Sequence, residues 1–177
     1  MESAEGRYTG FAMALHWVMA IMIFCLFMIG WNMVDLPRGS ERTFYFALHK
    51  SLGLTVVALV IVRVIWRLYH PPPPYHSSLA GWRLSFARCA HYLLYFLMFL
   101  QPLSGYLSSS FSGYSTRIFG LPLPQWGWRD PPVNEFFTEV HVASSVLFLT
   151  VIVIHILAAL LHAFSQENGV FRRILPW

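Results

Sequence analysis

The sequence predicts an all-α fold, an integral membrane four-helix bundle forming one domain over residues 1–177. Three observations carry that expectation. The chain is 56% hydrophobic and only 11% charged, against about 25% charge in ordinary soluble domains. Four apolar stretches, at about 11–34, 44–69, 86–109 and 136–164, are each long enough to cross a hydrocarbon core about 30 Å thick. Histidines stand near the ends of these stretches, where a polar group inside a bilayer marks a functional site by default.

The first span, 11–34, carries His16 near its start. The residues before it lack a basic run and a small-residue cleavage site, so the span is expected to be retained. Pro37, Gly39, Ser40, Glu41 and Arg42 form a short polar connection. The second span, 44–69, has His49 near its start and Arg63 and Arg67 toward its end. Pro71 to Pro74 stop it, because consecutive prolines lack the amide donors a helix needs. The third span, 86–109, has His91 near its start, and Pro102 and Gly105 in its QPLSGYL stretch predict a kink near the far end. Residues 110–135 are rich in Gly, Pro, Trp and Ser and too polar to span. They are expected to lie over the bundle, with Trp126 and Trp128 at the membrane interface. The fourth span, 136–164, leads into a tail with Arg172 and Arg173.

Charge and cysteines narrow the function classes. The formal net charge of +4 is dispersed, with no Lys/Arg run, so no nucleic-acid partner is expected. Cys25 and Cys89 form no CxxC or CxxCH, so neither a disulfide framework nor covalent cofactor attachment is expected. Basic residues near the span ends divide seven to five. Arg7, Arg63, Arg67, Arg83, Arg88, Arg172 and Arg173 fall on one side, and Arg38, Arg42, Lys50, Arg117 and Arg129 on the other. The positive-inside rule then puts both termini in the cytoplasm, with membrane lipid as the surrounding partner.

The fourth span organises the rest. His141, Ser145, Phe148, Ile152, His155, Ala159 and His162 follow one another at steps of four and three, so all seven share one stripe of a helix. His141 and His155 lie fourteen residues apart, a rise of about 21 Å with a drift of about 40° around the axis. One helix thus presents two imidazoles on one side, near opposite faces of the bilayer. Alternating the spans sorts the other histidines by depth: His16 with His155, and His49 with His141. Ala20, Gly30, Gly53, Ser144, Ser145, Ala158 and Ala159 are small residues near these positions and leave room for something flat and bulky. Two bis-histidine haem b groups, one per pair, meet those requirements. Packing and metal transport compete with that assignment. A single intramembrane histidine commonly serves packing, but four that sort into two depth-matched pairs fit ligation better. A zinc or copper path uses imidazoles too, but would call for acids or thiols on the stripe, and there are none.

The chain resembles the prokaryotic cytochrome b561 family over nearly its full length. The marks are ALHW with His16, LHKSLG with His49, the RVIWRLYHPPPP exit from the second span, CAHYLLY with His91, QPLSGYL, the EVH of His141, and HILAALLHAF with His155 and His162. The resemblance implies two non-covalent haem b groups with iron ligated by His16, His49, His141 and His155. It also implies a location in the bacterial inner membrane. The family includes superoxide:ubiquinone oxidoreductases, so one implied activity oxidises superoxide at the outer face and reduces ubiquinone near the cytoplasmic face. Lys50, Arg117 and Arg129 would then attract the anionic donor. His91 and His162 lie where a histidine could hydrogen-bond a quinone carbonyl and supply a proton. Arg63, fourteen residues after His49, is expected to pair with a haem propionate. The competing expectation is a haem b anchor subunit that relays electrons between quinone and a partner dehydrogenase or periplasmic redox protein. A third, a non-redox scaffold, predicts a colourless protein.

Overall fold

The computed structural model describes residues 7–71, 73, 81–164 and 173–175. The expectations placed on Pro72, Pro74 and Arg172 lie outside these residues. The described residues form four helices: α1 (Gly10–Asp35), α2 (Ser40–Tyr69), α3 (Trp82–Phe111) and α4 (Pro131–Phe164). A short antiparallel pair, β1 (Arg117–Ile118) and β2 (Leu121–Pro122), lies between α3 and α4. An all-helical membrane fold follows from solvent physics, since a helix satisfies its own backbone polar groups where lipid offers no partners.

Three helices, α1, α2 and α4, are long and apolar enough to cross a membrane. The expected third span does form a helix, and it runs unbroken through Pro102, but no stretch of it of membrane-spanning length is as apolar as those of the other three. The reason is visible in its interior. Ser104, Ser109 and Ser110 are buried, and Gln101 is partly buried. Much of the polarity of α3 thus faces the protein.

Helix α4 starts five residues earlier than the apolar pattern implied. Asp130 caps it: its Oδ1 accepts a hydrogen bond from the Val133 amide at 3.2 Å. Pro131 then takes the first helical position, where a missing N–H costs nothing. Asp130→Ala is expected to lower stability by about 1 kcal/mol through loss of this cap, read as a lower melting temperature in detergent.

Residues 112–130 fold over one end of the bundle, as their composition suggested. Phe119 (φ 46°) and Gly120 (φ 88°) make the two-residue turn between β1 and β2, and both need positive φ in a type I′ hairpin. Such a conformation is costly for a bulky residue. The Phe119 amide is held in place by Ser51 Oγ on α2 at 2.9 Å. Tyr106 donates to the Pro124 carbonyl, and the Asp130 amide donates to the Phe111 carbonyl at 3.0 Å. Trp126 and Trp128 are strongly exposed, as interfacial residues would be. We call this the hairpin end.

The two chain ends meet at the opposite end, here the terminus end. The Arg7 guanidinium donates to the Leu175 carbonyl at 2.6 Å, and the Trp17 indole to the Ile174 carbonyl at 3.0 Å.

Packing divides the bundle unevenly. Helix α1 lies against α2, α2 against α3, and α3 against α4. Two buried clusters fill these seams, one around Met19, Val56 and Val60, the other around Leu97, Phe148 and Val151. Among the described residues, no Cα of α4 comes within 8 Å of a Cα of α1 or α2. Those two gaps are the ones the histidines cross.

Candidate haem-binding histidine levels

Each histidine reaches its partner across a gap that the backbone leaves open. His49 on α2 faces His141 on α4 with ring centroids 6.2 Å apart and planes at 81°. His16 on α1 faces His155 on α4 at 6.4 Å and 69°. Two imidazoles that ligate one metal from opposite sides each put a nitrogen about 2 Å from it, which leaves their centroids about 6 Å apart. Both pairs have that spacing. Near-perpendicular planes are compatible with it, because each ring can turn about its own metal–nitrogen bond.

The hairpin-end pair is cradled by two glycines. A Cβ on Gly30 of α1 would stand 3.3 Å from His49 Cε1. A Cβ on Gly105 of α3 would stand 3.1 Å from both Cε1 and Nδ1 of His141. Gly30 was expected to make room for a flat ligand; in the structure the imidazole of His49 itself takes up the space. Gly53, one turn after His49, has no protein atom within 4 Å of where a Cβ would be, which leaves that face clear for a broad ring.

Helix α3 supplies the polar surroundings of His141. The Gln101 carbonyl lies 2.8 Å from His141 Nδ1. A carbonyl only accepts, so Nδ1 carries the proton and Nε2 keeps its lone pair. That tautomer is the one a metal-ligating Nε2 requires. Ser104 Oγ donates to the same carbonyl at 3.0 Å and lies 3.2 Å from Nδ1. The Gln101 side-chain amide donates to Ser144 Oγ at 2.5 Å and to the His141 carbonyl at 3.0 Å. The polar residues that lower the hydropathy of α3 thus orient one imidazole of α4. His49 Nδ1 is buried and has no side-chain partner of this kind.

Lys50, beside His49, turns its ammonium to Ser109 Oγ at 2.7 Å, and that hydroxyl pairs with Thr116 Oγ1 at 2.6 Å. Arg117 and Arg129 are exposed on the same end. Five described acids also stand there, Asp35, Glu41, Asp130, Glu135 and Glu139, against five basic residues, Arg38, Arg42, Lys50, Arg117 and Arg129. Attraction of an anion at this end therefore depends on where individual cations sit.

The terminus-end level contains a third histidine. His91 on α3 lies 5.4 Å from His155, closer than His16 does, and its Nδ1 is buried without a hydrogen-bond partner. Sorting by depth alone put His91 at the membrane surface with His162. The structure brings it to the flank of His155, while His162 sits half-buried two turns further along α4. Arg63 reaches into the same level from α2. Its Nη1 donates to the Ala12 carbonyl on α1 at 2.9 Å and its Nε to Tyr95 Oη on α3 at 3.1 Å. Arg67 lies over the Tyr95 ring, 5.8 Å from its centroid. The roles of Tyr95, Gln101, Ser104 and Gly105 were not legible in the sequence; a Gln and a Gly within an apolar span were the available signals.

Between the two levels, buried Phe148 occupies the midpoint of the histidine stripe and meets Phe27 of α1 at 6.0 Å. Cys25 and Cys89 are free thiols on exposed positions, and no cluster of three or more His, Cys, Asp or Glu suited to a metal ion occurs among the described residues.

Comparison with known proteins gives the family. The family model for prokaryotic cytochrome b561 matches residues 7–177. Cytochrome b561 homolog 2 of Escherichia coli (strain K12) is 34% identical over 182 aligned residues, covering 96% of this chain and 91% of the relative. A probable superoxide oxidase, CybB, of Yersinia pestis is 23% identical over 173 residues, covering 96% of each. The chain belongs to the prokaryotic cytochrome b561 family, membrane cytochromes b whose electron transfer rests on haem b.

Proposed function

We propose that this protein binds two haem b groups, one between His16 and His155 and one between His49 and His141, and carries electrons across the bacterial inner membrane from superoxide to ubiquinone. The observation that carries the reading is the coincidence of two facts. The α1/α4 and α2/α4 backbones stay apart, and each gap is crossed by one histidine pair at a metal-bridging spacing. When bound, the haem groups would supply one-electron carriers at two depths. The chain's own residues do the rest. His141 offers Nε2 because the Gln101 carbonyl holds its Nδ1 proton. Gly30 and Gly105 give the hairpin-end imidazoles room.

At the hairpin end, taken as the periplasmic face, Lys50 is a partly buried cation beside His49 and can attract an anionic donor. Two superoxide ions each give up one electron and leave as two molecules of oxygen. At the terminus end, taken as cytoplasmic, His91 has a buried ring nitrogen available to a quinone carbonyl, and His162 lies further along α4. Ubiquinone there takes up the two electrons with two protons and becomes ubiquinol. The superoxide assignment draws on the relative at 23% identity.

The exposed aromatics of the hairpin end favour a second reading. Phe119, Trp126 and Trp128 are each exposed there; where they do not rest in the lipid interface they would offer a partner redox protein apolar contacts, with this chain acting as its haem b anchor. One assay separates the two. Purified protein is expected to show sharp low-spin b-type bands on reduction and two haems per chain. It is expected to reduce ubiquinone when supplied with superoxide alone. Two haems without superoxide-driven quinone reduction would favour the anchor, and a colourless protein would end both readings.

A further inference from the structure

Arg63 is a cation placed where a membrane protein rarely has one. It lies in a spanning helix, partly buried, and no carboxylate among the described residues pairs with it. Three helices meet at its guanidinium: α2 carries it, α1 gives the Ala12 carbonyl and α3 gives the Tyr95 hydroxyl. Those two partners stand next to the histidines: Ala12 is one turn before His16 on α1, and Tyr95 is one turn after His91 on α3. The wider field points the same way. By sequence the terminus side carries seven basic residues, Arg7, Arg63, Arg67, Arg83, Arg88, Arg172 and Arg173, against three acids, Glu2, Glu5 and Glu167. At the hairpin end five basic residues face five acids.

We propose that Arg63, strapped between Tyr95 and the Ala12 carbonyl, holds the terminus-end haem at a higher reduction potential than the hairpin-end haem, so that electrons run from the hairpin end toward the terminus end. The inference rests on the two-haem reading above. Taking up an electron lowers the charge at a site by one, and a fixed cation close by favours the state with less positive charge. The effect is local because Coulomb energy falls with distance, even at an effective dielectric constant of about 20. Arg63 bonds the Ala12 carbonyl one turn before His16, whereas His49 of the hairpin-end pair stands fourteen residues earlier on α2, a rise of about 21 Å. Lys50, the partly buried cation of the hairpin end, sits among hydroxyls in a region of balanced charge. Tyr95 is a positioning residue: its hydroxyl fixes Arg63 Nε, and its ring lies beneath Arg67.

The test is a potentiometric titration of the full chain in lipid nanodiscs, with haem stoichiometry measured on the same samples. Wild type is expected to titrate in two one-electron steps, the lower of which disappears in His49→Ala. Arg63→Gln is expected to keep both haems and to shift the upper step down by about tenfold in its equilibrium, about 59 mV for a one-electron couple. The lower step stays in place. Tyr95→Phe keeps the ring but frees Arg63 Nε, so the same step falls by a smaller amount. This variant carries the test if Arg63→Gln does not accumulate. The proposal is overturned if two haems are bound and neither variant moves the upper step, or if His49→Ala removes the upper step. A wild-type chain binding fewer than two haems would instead refute the reading beneath it.

Discussion

His16→Ala and His155→Ala are each expected to bind one haem per chain instead of two, whereas His91→Ala keeps both. The geometry makes this a sharp choice, because His155 has two imidazoles within reach. His16 lies at 6.4 Å and His91 at 5.4 Å. A metal held axially by two imidazoles needs a centroid spacing of about 6 Å, since each nitrogen keeps its own distance of about 2 Å. The hairpin-end pair, at 6.2 Å, has the same spacing as His16 and His155, while His91 is too close. Nor do α1 and α4 come together at the backbone, which leaves width for a ring between them. His91 belongs to α3, which packs directly on α4 and leaves no such width. Its loss should instead slow quinone reduction by at least about 100-fold if it supplies a proton in that step. Pyridine haemochrome stoichiometry and quinone-reduction rates on the same preparations decide the matter. Halved haem in His91→Ala, with two haems retained in His16→Ala, would reverse the assignment.

The fold was legible because a bilayer admits few solutions. Hydropathy located four helices, and the run of prolines after Tyr69 ended α2 where expected. The α4 stripe was equally legible, since fourteen residues bring a helix back to nearly the same face. What sequence could not supply was rotation of one helix against another. Depth put His91 near the inner surface, but only packing of α3 on α4 turned it toward His155. The apolar pattern placed a third span over 86–109 but not the direction of its serines, because composition cannot tell a serine facing lipid from one buried against a neighbouring helix. Ser104 is 2% exposed and hydrogen-bonds beside His141. The start of α4 did carry a local signal: Asp followed by Pro-Pro is a helix N-terminus in plain view. The β1–β2 hairpin had no comparable signal, because its turn puts a phenylalanine at positive φ, where asparagine or aspartate would be usual.

Gly105→Ala is expected to cost the protein its hairpin-end haem while leaving the helices intact. An added Cβ would stand 3.1 Å from both Cε1 and Nδ1 of His141, tighter than ordinary contact. Retreat is blocked on the polar side, because the ring is tied by Nδ1 to the Gln101 carbonyl at 2.8 Å, with Ser104 Oγ at 3.2 Å. Moving away breaks that bond, frees the tautomer and changes the 6.2 Å spacing of the ring from that of His49. Overpacking of this kind costs about 1–3 kcal/mol. Alanine returns up to about 1 kcal/mol by its better helix propensity, so thermal stability of the haem-free chain should change little. Affinity at the hairpin-end site, which depends on the direction of Nε2, should fall about 10- to 100-fold, as when a metal ligand loses its supporting shell. Gly30→Ala should act in the same sense but more weakly, since its Cβ would approach a single atom of His49 at 3.3 Å. Haem titration of the apoprotein reads the two sites separately. Wild-type affinity at both sites in Gly105→Ala would mean that the His141 ring has freedom to move, and α3 would lose its role as the support for that imidazole.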